Sequence, residues 1–419
     1  MDLKELQKKY PKFVYESYSV RISKNDLEII FSFKIKPNIS FEPKVVIKNT
    51  EKELLRVGVS NLDNLIFHLG LIEMVSYWKA TCSPVIEVKA GHLDKEQIKW
   101  WQDLILKGMG QFFFENKLPF LKPKFVISRP RSIRKTFREP ASDVLVPVGG
   151  GKDSAVTLEL LKKSKKNVRC FSLNPTDSAM GIMKTAGCRK PIIAERTIDE
   201  KLLKLNRKGF LNGHTPFSAY LAFLTLLVAA IFKYRQIAVS NEKSSNEGNI
   251  KYLEKVVNHQ WSKSFEFEKK FRKYCKEHLA ENIEYFSYLR PLYEIQIAKL
   301  FSKHQKYFKV FLSCNEAYKT ASGTKRPEKK WCGNCSKCLF TYMILYPYLK
   351  KEKLVNIFGK DLYEDKKLLP LLQQLTGERG FKPFECVGTA KESRRALSLS
   401  LKKAERLGEV PYLLTKLKA

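Results

Sequence analysis

The chain has 419 residues, 44% hydrophobic and 12% aromatic, with no low-complexity tract or fixed-period repeat. This excludes disordered and solenoid classes and allows two or three domains with sizeable cores. A formal net charge of +34 predicts attraction to polyanions such as RNA, an anionic membrane face or a phosphate-bearing substrate, without choosing among them.

The opening MDLKELQKKYPKF has no apolar run, so no secretory signal is read there. Nine cysteines, three of them in one short cluster, fit metal binding in a reducing compartment better than a disulfide framework, and a cytoplasmic location is expected. Residues 1–125 are expected to form an α+β domain. FVYESYSVRI and LEIIFSFKI read as strands of a half-exposed sheet; a helix is predicted from Leu62 to Trp78, a strand at VIEVKA and a helix from Lys95 to Phe113. Residues 126–143, in the stretch KPKFVISRPRSIRKTFREPASD, read as a linker because of their prolines and charges.

Residues 144–285 alternate strands and helices: VLVPV, a glycine loop, a helix from Ser154 to Lys163, VRCFSL, a helix, PIIAE, helices and QIAVS. That order predicts a parallel sheet covered on both faces, with ligands beyond the carboxyl ends of its strands. Those ends carry Gly149 to Ser154, Asn174 to Asp177 and Ser240 to Glu242. Thr215 to Phe232 has no ionisable charge over nearly the minimum length of a membrane span. It opens on proline, contains Ser218 and Thr225, and runs through Lys233 and Arg235 into a strand, so a helix buried in an α/β domain is expected and no transmembrane span. Residues 286–419 are expected to form a smaller C-terminal region, with a helix around Glu294 to Phe301 and a cysteine-bearing segment from Cys314 to Cys338.

The segment VPVGGGKDSAVTLEL carries the strongest chemical signal. Gly149, Gly150 and Gly151 let backbone N–H groups approach phosphate oxygens, and the following helix N-terminus offers unpaired donors. Lys152 adds a cation, and Ser154 can bond a phosphate or cap the helix. The spacing is not that of the Walker motif. With Asp153 it resembles the SGGxDS loop of the N-type ATP pyrophosphatases, although the usual first serine is Gly149 here. The resemblance implies a PP-loop α/β domain that binds ATP and Mg²⁺ and splits ATP between its α and β phosphates, activating a carboxylate. Asn174, Asp177, Ser240, Asn241 and Glu242 are expected to join that nucleotide site; Asp177 and Glu242 read either as groups near Mg²⁺ or the ribose, or as helix caps.

Cys314 followed by WCGNCSKC, with Cys332, Cys335 and Cys338, gives four thiols at C-x17-C-x2-C-x2-C. Four thiolates so spaced suit a tetrahedral structural Zn²⁺ site, with a [4Fe–4S] cluster or unligated core cysteines as alternatives. The arrangement resembles the 7-cyano-7-deazaguanine synthases, which are also N-type pyrophosphatases.

Further strings, KGFLNGHTPFSA, VSNEKSSNEGN, VNHQWSKSFEFEKKFR, YFSYLRPLYEIQIAKLF, FLSCNEAYK and KPFECVG, join the glycine loop and WCGNCSKC in one order. Over most of Val144 to Gly388 the chain thereby resembles the UDP-N-acetylmuramoyl-L-alanyl-L-glutamate epimerases of bacterial cell-wall synthesis. What this implies is ATP- and Mg²⁺-dependent inversion of the terminal L-glutamate of a UDP-MurNAc-dipeptide to D-glutamate. His214, His259 and Cys386 are the candidates for moving the Cα proton, each with a structural role as the alternative. Arg290 is expected to pair a substrate carboxylate or phosphate through its donor fork. A competing reading is an N-type pyrophosphatase modifying RNA or a deazapurine; a third is a non-catalytic nucleotide-binding scaffold. No aromatic-basic RNA-binding string is present, so a nucleic-acid partner is not expected.

Overall fold

A computed structural model gives the fold and describes residues 2–128, 136–137, 142–317 and 331–416. Strands β1 (Lys12–Ser23) and β2 (Asp26–Lys36) form a long antiparallel hairpin. Its alternation buries Leu27, Ile29, Phe31, Phe33 and Ile35 on one face, the period-2 pattern of a half-covered sheet. β3 (Ile39–Phe41) and β4 (Lys44–Ile47) pair antiparallel with β2, while β5 (Val85–Val88) and β6 (Lys124–Ile127) extend parallel from β1.

The later strands are β7 (Ser142–Pro147), β8 (Val168–Leu173), β9 (Ile192–Thr197) and β10 (Tyr234–Val239), then a short hairpin of β11 (Ile250–Tyr252) and β12 (Lys255–Val257), then β13 (Glu284–Ser287). The set β13-β10-β7-β8-β9 is parallel, as the alternation of strands and helices predicts. β4 joins β9 antiparallel, so among the described residues one mixed sheet of eleven strands runs through both halves. A division of the chain near residues 126–143 therefore does not interrupt the sheet. β6 lies inside the stretch read as a linker: its four residues are too short a run to stand out among prolines and charges. Residues 129–135 and 138–141 of that stretch lie outside the described residues.

Two hydrophobic cores sandwich the parallel part of the sheet. Leu145, Phe171 and Ile237 point into one; Val144, Val146, Cys170 and Ala238 point into the other. The first core contains the Asp63–Trp78 and Phe217–Phe232 helices, which pack on each other and are buried nearly all round. No described helix is long and apolar enough to cross a membrane. The second core contains the glycine-loop helix Lys152–Lys163, the Glu294–Phe301 helix and the C-terminal helices, including the fully buried Ser336–Leu345. The C-terminal region thus shares a core with the strand and helix that hold the glycine loop.

One expectation is corrected. The helix expected from Lys95 to Phe113 is two helices, Lys95–Gly108 and Gly110–Glu115, broken at Met109. Cys170 and Cys188 are joined as a disulfide, apart from the cysteine cluster on which the metal-binding expectation rests. β8 and the turn after the Asp177–Thr185 helix bring these two side by side, a tertiary neighbourhood that their 18-residue separation does not announce.

Candidate active site

β7 leads into the glycine loop at the carboxyl edge of the parallel strands. Gly150 sits at φ +90°, and a Cβ there would lie 2.8 Å from the backbone nitrogen of Ala179, at the start of the Asp177–Thr185 helix. Only glycine fits both demands. Its carbonyl accepts a hydrogen bond from the Leu312 N–H at 2.9 Å, so the loop is clasped by the segment that leads to Cys314. Gly149 is exposed, with nothing within 4 Å of where a methyl group would stand, and Gly151 caps the Lys152–Lys163 helix.

Lys152 does not reach out of the loop as a free cation. It is buried, and its ammonium pairs with Asp153 at 2.5 Å and with Glu294. Glu294 also lies 3.8 Å from Lys337. Burial, and then repulsion from Asp153, push the Glu294 carboxyl up to about 7 and raise Glu242 as well. Asp153 is held below its ordinary value: burial opposes its charge, but Lys152 and Lys337 outweigh it. Three carboxylates (Asp153, Glu242, Glu294) and three ammonium groups (Lys152, Lys263, Lys337) thus share one interior network.

The remaining nucleotide-site candidates line the same strand ends. The Ser154 hydroxyl donates to the Gly151 carbonyl, and Thr157 donates to Ser240 at 2.9 Å. Asn241 donates to the Ser287 hydroxyl at 3.2 Å. Asn174 turns away from the loop to bond the backbone of Arg196, and Asp177 is exposed in the first turn of its helix, where Thr176 provides the cap. Arg290 spends its guanidinium inside the protein: it donates to the Glu268 carboxylate, to the Glu242 and Lys263 carbonyls, and to the Ser245 and Ser287 hydroxyls. It fixes the loops carrying Glu242 and Lys263 instead of presenting an open fork.

His214, His259 and Cys386, far apart in sequence, come together. The imidazole rings are 4.7 Å apart between centroids, and His259 Nε2 lies 3.9 Å from Cys386 Sγ. Gln111 fixes His259 Nδ1 at 2.5 Å. Asn249 bonds the carbonyls of Lys382 and Pro383 and accepts from the His259 N–H, while Gln260 reaches the Val387 carbonyl. The segment bearing Cys386 is thereby sewn to the loop bearing His259. Lys263 Nζ lies 3.0 Å from Cys386 Sγ, and Lys337 donates to the Cys386 carbonyl. Burial opposes a thiolate at Cys386, yet Lys263 and Lys337 bring its pKa below the ordinary value.

Burial, then Lys263, lowers the His259 pKa from 6.5 to about 3. Burial and His259 itself lower His214 well below 6.5. Both rings are therefore neutral at pH 7. Between pH 3 and 6.5 the unfolded chain binds the proton that folded His259 refuses, so stability rises with pH across that window and falls on acidification. For His259 the loss at pH 5 is about 2 kcal/mol relative to neutral pH. Urea denaturation from pH 7.5 to 5 is expected to show this slope, flattened in His214→Gln/His259→Gln; an unchanged slope in the double variant would contradict the neutral pair.

Sequence reasoning misses the roles of Lys263, Lys337, Glu294 and Gln111. Lys263 and Lys337 are two among 77 lysines and arginines, and only tertiary contacts distinguish them from solvated ones.

The four cysteines converge: one sulfur from each of Cys314, Cys332, Cys335 and Cys338 lies within 4.8 Å of every other. Cys332 and Cys338 are 3.7 Å apart, Cys335 and Cys338 3.4 Å. Tetrahedral zinc with sulfur at about 2.3 Å places thiolates about 3.8 Å apart, so the donor set suits such an ion. Backbone N–H groups of Asn334 and Cys338 point at the Cys332 and Cys335 sulfurs, and Gly333 at φ +69° makes the turn.

The family model of the MurL N-terminal domain matches residues 4–288, and that of the MurL C-terminal domain residues 310–417. The chain is 34% identical over 343 residues to the UDP-N-acetyl-alpha-D-muramoyl-L-alanyl-L-glutamate epimerase of Micromonospora sp., covering 81% of this chain and 75% of that protein. It is 34% identical over 339 residues to the enzyme of the same name from Xanthomonas oryzae pv. oryzae, covering 80% and 74%. The Salinispora tropica enzyme of that name is 34% identical over 347 residues, covering 81% and 74%.

Proposed function

The chain belongs to the MurL family, and from that membership we propose that it inverts the terminal L-glutamate of UDP-MurNAc-L-Ala-L-Glu by adenylating the α-carboxylate with ATP. The proton on Cα is very weakly acidic beside an ionised carboxylate, since its loss puts a second negative charge next to the first. An acyl phosphate removes that first charge and lets the enolate delocalise. Gly149, Gly150 and Gly151, with the N-terminus of the Lys152–Lys163 helix and Ser154, hold the phosphates in a PP-loop arrangement, and Ser240 and Asn241 border the nucleotide. Asp153, Glu242 and Glu294 are hard oxygen donors that would meet Mg²⁺, which supplies positive charge to the leaving pyrophosphate. The four cysteines would hold Zn²⁺ in a structural role. The neutral imidazoles of His214 and His259 are the acceptors for the Cα proton.

One observation carries this reading: an unbroken run of contacts from Asp153 through Lys152, Glu294 and Lys337 to Cys386, beside His259, which links the glycine loop to the proton-transfer candidates. The relatives are epimerases by name, which favours inversion over the RNA- or deazapurine-modifying alternative. Incubation with the UDP-dipeptide, ATP and Mg²⁺ in D₂O is expected to give AMP, pyrophosphate and D-glutamate carrying deuterium at Cα. Inversion without ATP, ADP as the nucleotide product, or retention of the original α-hydrogen would overturn it.

A further inference from the structure

We propose that Cys386 acts as a nucleophile that takes the activated glutamyl group from AMP as a thioester, and that inversion occurs on that thioester. This rests on the adenylating reading above. Cys386 Sγ has an ammonium, Lys263 Nζ, at 3.0 Å and an imidazole nitrogen, His259 Nε2, at 3.9 Å. A cysteine beside a cation and an imidazole is the usual arrangement of an activated thiol. Lys263 is itself partly buried, and its charge is retained because Cys386 and Glu242 outweigh the cost of desolvation. It is a positioning residue: its carbonyl is gripped by Arg290 and Ser245, which fixes where the ammonium stands.

Two further features separate a nucleophile from a thiol that only moves protons. First, the cysteine backbone is tied through Lys337 and Glu294 to Lys152 of the glycine loop, the loop proposed to hold the phosphates of the adenylate. A thiolate next to an acyl phosphate is a strong nucleophile beside a good electrophile. Second, the site holds separate groups for the proton, the neutral His214–His259 pair, so the sulfur is not needed for that task.

The steps balance. The Cys386 thiolate adds to the acyl carbon, the C–S bond forms, the bond from the acyl carbon to the phosphate oxygen breaks, and AMP leaves with that electron pair. The Cα proton passes to an imidazole of the pair, leaving the thioester enolate. Water protonates the enolate on the opposite face, and the hydroxide so formed takes the proton from the imidazolium. A second water then adds to the thioester carbonyl; the C–S bond breaks, releasing the glutamate carboxylate and the Cys386 thiolate, and the two protons of that water pass to solvent. Departure of AMP also removes its negative phosphate from beside the enolate.

The test is intact-protein mass spectrometry of the full chain, acid-quenched during turnover with UDP-MurNAc-L-Ala-L-Glu, ATP and Mg²⁺. An adduct of substrate mass less one water is expected, mapped to Cys386 and released by hydroxylamine after the denatured protein is freed of small molecules. Cys386→Ala and Cys386→Ser are expected to keep pyrophosphate exchange into ATP while inversion falls roughly 10³-fold or more. Wild-type turnover without an adduct, an adduct on another residue, or Cys386→Ala inverting at the wild-type rate would each overturn the thioester and leave adenylation standing. Absence of pyrophosphate exchange in the wild type would overturn adenylation itself, and the thioester with it.

Discussion

Gly150→Val is expected to lower pyrophosphate exchange into ATP roughly 10³-fold, whereas Gly149→Ser, one residue earlier, is expected to retain it. The two glycines differ in what surrounds them. Gly150 sits at φ +90°, and its Cβ would meet the Ala179 nitrogen at 2.8 Å and Ser178 Cβ at 2.8 Å. A β-branched side chain must then move the loop away from the Asp177–Thr185 helix or force that helix back. Either shift displaces the backbone N–H groups proposed to face the phosphates. Gly149 has nothing within 4 Å of its Cβ direction and is exposed, so the serine usual in N-type pyrophosphatases fits there without rearrangement. Exchange of labelled pyrophosphate, with circular dichroism to confirm folding, checks both variants. Wild-type exchange in Gly150→Val, or its loss in Gly149→Ser, would separate this loop from phosphate binding.

Lys152→Met is expected to destabilise the fold by about 3–5 kcal/mol, because it leaves the buried Glu294 carboxylate, and the partly exposed Asp153 beside it, without their shared partner. Lys152 and Glu294 are each only 2% exposed, and Asp153 takes the other side of the same ammonium. Lys337, 3.8 Å from Glu294, offsets only part of the loss. Glu294, already raised to about 7 by burial and Asp153, is the group that takes up a proton in response. Adding Glu294→Gln to Lys152→Met removes one stranded charge and is expected to recover about 1–3 kcal/mol. Urea denaturation of the single and double variants measures the coupling. A loss under about 1 kcal/mol in Lys152→Met, or no recovery in the double variant, would contradict a buried network held by this lysine.

These variants probe features of different legibility. The glycine loop is readable because its constraint is local: a buried strand, three small residues and a helix start follow one another in the chain. The cysteine set is readable for a similar reason, since Cys332, Cys335 and Cys338 lie within one turn and helix start, and Cys314 follows closely on the segment that clasps Gly150. Family resemblance added His214, His259 and Cys386 as candidates without saying that they meet. Arg290 shows the limit of residue type as a guide. An arginine fork suits a carboxylate, but which carboxylate it meets depends on fold, and here it is Glu268.

The sequence by itself determined the parallel strands, the buried helices and the glycine loop between a strand and a helix, because each follows from periodicity or from residues adjacent in the chain. Tertiary structure alone decided that β4 pairs with β9 and merges the two halves into one sheet, since no local pattern specifies a partner strand. It alone decided that Lys263 stands 3.0 Å from Cys386, 123 positions away in the chain, and that Lys152 faces inward to Glu294. The physical reason is common to all three: a lysine or a strand edge has the same local chemistry wherever it lies, and burial beside a particular partner is what gives it a role.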